Sequence, residues 1–257
     1  MSIIKEIRKT RPIIHCITNI VTVNDCANIL LAAGASPIMA HHPAEVEEVT
    51  TKADCLVCNM GALENYEAME IAMEAAKRAG HPIVIDPVGV SGSTYRREKC
   101  ISLIKRFQPT CVRGNYSEIL ALMKECNTAA GLDGGIVKDE ISRKSDLVRQ
   151  IEAYAKRQGV IVIASGKTDI VTDGSLTELV TDGHPMMRRI TGSGCMSSVL
   201  VGAFLTVKKD TDTAAAACRF IGKAGEKAAQ ETIADGGGTM TFRLKFIDEV
   251  SKADMPE

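Results

Sequence analysis

No sign of charge dominates this sequence. Lys and Arg total 31 against 32 for Asp and Glu, the net charge is −1, and no basic block stands out locally. That excludes an electrostatic attraction to nucleic acid or to an anionic membrane. No apolar run approaches the roughly 20 residues a membrane span needs. The N-terminus, MSIIKEIRKTRP, is interrupted by charges every few residues and lacks a signal-peptide core, so a cytoplasmic location is expected. A disulfide framework is also missing. The nine cysteines are odd in number, sparse, and partly embedded in apolar runs, as Cys55 and Cys58 are in CLVCNMG. Buried free thiols account for them. That C-x-x-C has no second pair or His-x-x-x-His to complete a zinc site, and on a strand its two sulfurs point to opposite faces. The five histidines form no ligand set, since His41 and His42 are loop neighbours and His15, His81 and His184 are isolated. A G-x-S-x-G elbow is absent, which removes support for a hydrolase triad. With no repeat and no linker, residues 1–257 are expected to form one domain.

What is present is an alternation. Short apolar runs at Ile13–Ile17, Ser36–Ala40, Leu56–Met60, Pro82–Asp86, Thr110–Arg113 and Val160–Ser165 read as strands. Segments of helical spacing lie between them, at Asp25–Ala33, Asn65–Ala79, Arg96–Phe107, Ser117–Lys124 and Asp146–Arg157. This βαβα order predicts a mostly parallel sheet with helices on both faces. Residues Ile170–Val180, with turn residues at Asp173–Gly174 and again at Asp182–Gly183, predict an antiparallel hairpin. Two Ala-rich stretches, Cys195–Val207 and Thr213–Ala234, predict packed helices. The Gly- and Asp-rich stretch Ala129–Ile141 predicts a surface loop.

Ligands of such sheets bind past the carboxyl ends of the strands. The residues there are Thr18 and Asn19, Met39, Asn59 and Gly61, Asp86-Pro87 with Gly89, Arg113-Gly114-Asn115, and Ser165-Gly166-Lys167. Thr191-Gly192-Ser193-Gly194-Cys195 follows two arginines and opens an apolar helix. Two glycines permit a tight turn, and the helix start aims free N–H groups at one point. That arrangement is an anion site, or else a plain Gly-rich helix cap. Cys195 falls in the first helical turn, where the dipole lowers a thiol pKa; proton acceptor, nucleophile and inert filler all remain open for it. Asp86 closes a buried strand and must be paired, hydrogen-bonded or near a cation. Asn115 and Glu118 have the spacing either of a helix capping box or of an amide and a carboxylate that hold magnesium through water.

In their order, I-T-N (17–19), G-A-S-P-I-M (34–39), N-M-G (59–61), D-P-V-G (86–89), R-G-N-x-x-E (113–118), S-G-x-x-D (165–169) and T-G-S-G-C (191–195) resemble the hydroxyethylthiazole kinase family from about His15 to Gly238. The resemblance implies a ribokinase-like three-layer α/β sandwich. It implies a kinase that uses ATP and Mg²⁺ to phosphorylate 4-methyl-5-(2-hydroxyethyl)thiazole for thiamine synthesis or salvage, as a homotrimer with active sites at subunit interfaces. It places Arg113 and Ser165 on ATP, Asp86 and Glu118 on magnesium, and Met39 and Gly192 on the thiazole alcohol, with Asn19 and Gly61 lining the pocket. Gly192, Ser193, Gly194 and Cys195 become the anion hole, with Cys195 nearest the substrate hydroxyl. Two positions depart from the wider pattern: most ribokinase-like kinases have Asp at position 195, and Ser165 stands where Thr is expected. The alternatives are a kinase of the same fold acting on another small alcohol, such as hydroxymethylpyrimidine, an ATP-dependent dehydratase of that fold, and a non-catalytic nucleotide-binding module.

Overall fold

The structure, a computed structural model, describes residues 2–124 and 140–253. The strands are β1 (Ile13–Ile17), β2 (Ser36–Ile38), β3 (Cys55–Asn59), β4 (Ile83–Asp86), β5 (Cys111–Asn115), β6 (Ile161–Ser165), β7 (Asp169–Thr172) and β8 (Thr177–Val180). They form one sheet in the order β2-β1-β3-β4-β5-β6-β7-β8. Strands β2 through β6 across the sheet pair in parallel, and β6-β7-β8 pair antiparallel. The helices are α1 (Ile3–Thr10), α2 (Val23–Ala33), α3 (Val46–Lys52), α4 (Tyr66–Ala79), α5 (Thr94–Phe107), α6 (Tyr116–Lys124), α7 (Glu140–Gln158), α8 (Ser193–Leu205), α9 (Thr211–Ala234) and α10 (Thr239–Lys252).

The sheet separates two hydrophobic cores. One is built with side chains of α1, α2, α8, α9 and α10, the other with those of α3 to α7. This is the expected three-layer sandwich. Strands β3 and β4 are buried at every residue, which explains their unbroken apolar sequences: a parallel strand covered on both faces has no polar side to show. The C-x-x-C divides as its spacing requires, Cys55 joining the first core and Cys58 the second. All eight cysteines among the described residues are buried free thiols.

The hairpin forms at Asp169–Val180, with the Asp173 carboxylate accepting from the N–H groups of Ser175 and Leu176 at 2.7 and 2.9 Å. Strand β2 stops at Ile38, short of the expected Ala40, and β5 runs on to Asn115. Helices α1, α3 and α10 were not among the expected elements. The loop expected at 129–141 lies outside the described residues as far as 139.

Two features position the site. Parallel register brings strand ends level: Asn59 pairs with Asp86, and Asn115 with Ser165. Helix α8 then lies close on the sheet, because Gly202 has no side chain. A Cβ there would stand 2.8 Å from Val57 Cγ2 and 3.1 Å from Cys55 Sγ. The N-terminus of α8 is thereby held over the ends of the central strands.

Candidate active site

Helix α8 begins without a side-chain cap. Gly192 occupies the N-cap position in the left-handed region, at φ +81°. Its carbonyl accepts the first helical bond, from the Met196 N–H at 2.8 Å. The N–H groups of Ser193, Gly194 and Cys195 therefore have no acceptor within the helix. Arg113 crosses from β5 and donates through Nη1 to the Gly194 carbonyl at 2.9 Å, which fixes the loop and sets a guanidinium beside it. The result is a cluster of donors and positive charge where an anion is stabilised.

Asp86 lies beneath this loop and is almost fully buried. Its Oδ2 accepts from Ser198 Oγ and from Asn59 Nδ2, each at 2.9 Å. Burial pushes its pKa up to about 6; Arg113 opposes that shift and the nearby Glu118 carboxylate adds to it. Glu118 forms the capping box its spacing allowed. The Asn115 N–H donates to Glu118 Oε2 at 2.9 Å, and the Glu118 N–H donates to Asn115 Oδ1 at 3.0 Å. The Gly89 N–H donates to Glu118 Oε1 at 3.2 Å. Each Glu118 oxygen keeps a second lone pair. Two carboxylates in electrostatic contact, one of them buried, fit a hard divalent cation that prefers oxygen donors. Among the described residues no group of three His, Cys, Asp or Glu side chains could hold a metal by itself. A magnesium ion that also takes phosphate oxygens and waters does not need such a cage.

Cys195 corrects one expectation. The helix start was expected to lower its thiol pKa. Burial outweighs that effect and, with the charge of Asp86 adding to it, pushes the thiol up to about 11. Its sulfur accepts from Asn59 Nδ2 at 3.2 Å and from Asn19 Nδ2 at 3.6 Å. Gly61 closes the same network, donating its N–H to Asn59 Oδ1 at 2.9 Å.

A cavity of about 690 Å³ is lined by Asp86, Arg113, Glu118, Ser165, Gly192, Ser193, Gly194 and Cys195. Eight of the eleven residues singled out from the sequence thus share one space. Asn19 and Gly61 adjoin it through Asn59. Met39 does not line it; this residue packs on the first core beyond β2. The cavity extends under Asp182, His184, Met187 and Arg188 toward α9 at Cys218 and Gly222. That wall comes from the segment joining β8 to α8, where the sequence marked a turn at Asp182–Gly183 and two arginines before the glycine loop but no part of a cavity. A second cleft, of about 630 Å³, lies over α4 and α5. Several of its carboxylates are already engaged, Glu47 with Arg78 and Glu70 with Lys99 and Arg106, and it brings no comparable set of groups together. Ser165 is informative because its Oγ is buried with no hydrogen-bond partner. An orphaned hydroxyl on a cavity wall suits a ligand oxygen. Ser165→Ala is therefore expected to leave the melting temperature unchanged or higher while weakening a ligand that fills this part of the cavity about tenfold, the worth of one hydrogen bond. Thermal unfolding, and titration with candidate ligands of the cavity, check both parts.

The comparisons with known proteins agree with this geometry. The model of the hydroxyethylthiazole kinase family matches residues 4–255. The chain belongs to the hydroxyethylthiazole kinase family. It is 38% identical to the hydroxyethylthiazole kinase of Methanobrevibacter smithii over 98% of this chain and 91% of that protein. It is 40% identical to that of a Thermoanaerobacter species over 96% and 92%. Among solved structures, the hydroxyethylthiazole kinase protein of Pyrococcus horikoshii superposes with a TM-score of 0.85 at 35% identity, covering 98% of this chain and 92% of that one. A ribokinase-like superfamily protein from Enterococcus faecalis superposes at 0.64 and 12% identity over 97% and 90%, a likeness of fold alone. Membership in the family makes the chain a kinase of ribokinase-like fold.

Proposed function

We propose that the cavity transfers the γ-phosphoryl group of ATP to the primary hydroxyl of 4-methyl-5-(2-hydroxyethyl)thiazole, as a step of thiamine synthesis or salvage. The observation that carries this reading is the convergence of Arg113, Asp86, Glu118 and the capless α8 N-terminus on one cavity. Phosphoryl transfer needs charge stabilisation and in-line positioning more than covalent chemistry. Arg113 and the N–H groups of Gly192–Cys195 stabilise charge on the transferred group. Ser165 contacts the nucleotide. Asp86 and Glu118 would hold Mg²⁺, which neutralises phosphate charge when bound. Asn19, Gly61 and Gly192 would face the thiazole alcohol, and Met39, which lies outside this cavity, would do so only across a contact with another copy. The alcohol oxygen forms a bond to the γ-phosphorus as the bond from that phosphorus to the bridging oxygen breaks, and ADP leaves with the electron pair. Cys195 keeps its own proton at neutral pH, so its place beside the hydroxyl supports a positioning role and not that of base.

The reading includes a homotrimer with active sites between subunits, in the cytoplasm. Ile20 and Val21, directly after Asn19, are exposed apolar residues, as are Leu31 on α2 and Met240 and Leu244 on α10. Such surface supports a contact with another copy, one that would bring a further wall to Met39. The buried free thiols support a reducing compartment, and among the described residues no helix is long and apolar enough to cross a membrane.

The test is ADP release from purified protein with Mg-ATP, comparing hydroxyethylthiazole, hydroxymethylpyrimidine, ribose and no acceptor. Release that depends on the thiazole alcohol, with its phosphate ester as product, is expected. Equal release with every acceptor, or none above background with the thiazole, overturns the substrate. Light scattering on the eluting protein gives the subunit number, and a monomer overturns the trimer.

A further inference from the structure

Strand β6 ends at Ser165 and β7 begins at Asp169. Of the turn between them and its two ends, Ser165, Gly166, Lys167 and Asp169 line the cavity. A wall made from a short turn that contains glycine holds one shape only if its backbone is tied. Two side chains tie it. Asp169 Oδ1 accepts from the Gly166 N–H at 3.0 Å and closes the turn from within. Tyr116 donates its hydroxyl to the Thr168 carbonyl and holds the turn from outside. Ser165 Oγ, buried without a partner among the described residues, takes no part in either bond, so the shape of the turn does not depend on it.

Tyr116 is not itself among the residues that line the cavity. It opens α6 directly after Asn115, the strand partner of Ser165, and packs partly buried on the second core. It also lies directly against the turn. A Cβ at Gly166 would stand 2.5 Å from Tyr116 Cζ and 2.9 Å from its hydroxyl oxygen, so glycine is what gives the phenol its place. Packing on the core would be served as well by phenylalanine; the hydroxyl adds the bond to the turn. Tyr116 stands between Asn115 and Glu118, whose capping box starts α6, so the turn is anchored to the segment that places Glu118. We propose that Tyr116 is a positioning residue for the nucleotide: its hydroxyl clamps the Ser165–Asp169 turn in the shape that receives the nucleotide, so that this part of the wall is ordered before binding. Asn19, Gly61 and Gly192, on the thiazole side, follow β1 and β3 and precede α8, and this bond does not hold them. This inference rests on reading the cavity as the nucleotide site.

The experiment uses Tyr116→Phe, which keeps the ring and removes the hydroxyl. Affinity for ADP, measured by titration calorimetry with Mg²⁺ present, is expected to fall about 3–10-fold, the net worth of one hydrogen bond. KM for ATP should rise by the same factor, while KM for hydroxyethylthiazole and kcat at saturating ATP stay as in wild type. Amide hydrogen exchange at Gly166, whose N–H Asp169 holds, should be faster than wild type without nucleotide and equal to it with saturating ADP, because the ligand then supplies the order that the clamp gave. A packing role alone would lower the melting temperature and move both KM values together, and that result overturns the proposal. Faster exchange with unchanged ADP affinity overturns it as well, since the nucleotide would then not depend on the shape of the turn. Weaker ADP binding with unchanged exchange overturns it too, since the hydroxyl would then act on the nucleotide without ordering the turn. A wild-type chain that binds no ADP overturns the reading of the site, and this proposal with it; a wild-type chain that binds ADP no better than Tyr116→Phe overturns the proposal alone.

Discussion

Asp86→Asn is expected to cut kcat at least about 100-fold, as the loss of a metal-holding group does, while making the metal-free protein more stable at neutral pH. The two effects share a cause. Asp86 is buried, and among the described residues Ser198 and Asn59 hydrogen-bond its carboxylate. Its pKa rises to about 6, so the folded protein holds this proton up to that pH, whereas an unfolded chain releases it near about 4. Between those values the folded state binds more protons, and stability falls as pH rises. The advantage present at low pH is gone above about 6, a difference of about 3 kcal/mol for two pKa units. Asparagine can still accept from Ser198 and Asn59 and carries no charge. Thermal unfolding without metal should therefore show Asp86→Asn melting several degrees above wild type at pH 8 and the two converging near pH 4. Wild-type turnover in the variant would remove Asp86 from the metal site. A lower melting temperature at pH 8 would mean that the carboxylate is stabilised in the fold and not penalised.

The same burial explains what the sequence made legible. A strand covered on both faces is written as an unbroken apolar run, so β3, β4 and β6 could be placed within a residue or two, and their polar terminal residues stood out. The cores are equally readable from helical spacing in α4, α5 and α9. Helix α10 also carried its signal, with Phe242, Phe246 and Val250 four residues apart and buried, but it follows the last motif and was passed over. Helices α1 and α3 are only eight and seven residues long. That is too short for a helix to be stable by itself, so packing and not propensity makes them helical.

The site was legible wherever chemistry coincides with a strand end. The capping box at Asn115 and Glu118 formed as spacing allowed, and it did not displace Glu118 from the cavity wall. Two things were not legible. One is the direction of the Cys195 pKa: the helix start can be read from sequence, but the burial that overrides it is a property of the packed structure. The other is the connection between residues. Asn59 appeared as one polar strand end among several, and nothing in N-M-G says that its amide reaches both Asp86 on the next strand and Cys195 on α8. The 182–188 wall of the cavity escaped for a similar reason, since the turn and the arginines that mark this connection do not say that it folds over a cavity.

Gly192→Ala is expected to lower kcat by about 10²–10³-fold, the range seen when donors aimed at developing charge are lost or misplaced. Two independent costs meet at this residue. Its φ of +81° is open to glycine and strained for alanine, and a Cβ would stand 2.8 Å from Thr22 Cγ2. Thr22 cannot readily yield. It is buried at the N-cap of α2, its carbonyl accepts from the Cys26 N–H at 2.9 Å, and the first turn of that helix is tied to α10 by the ion pair of Asp25 with Arg243. The glycine loop must move instead, and the Ser193, Gly194 and Cys195 N–H groups move with it. Stability should fall by about 1–3 kcal/mol from backbone strain alone. Thr22→Ser in the same chain separates the two costs, because it removes the methyl that clashes, keeps the hydroxyl that donates to Asn19, and leaves φ unchanged. The double variant should regain part of the lost kcat, measured against Thr22→Ser, while the strain component of the stability loss persists. If Gly192→Ala turns over like wild type, the loop's N–H groups do not contact the transferred group. If the double variant recovers nothing, the left-handed turn itself, and not its contact with Thr22, aims those groups at the phosphoryl oxygen.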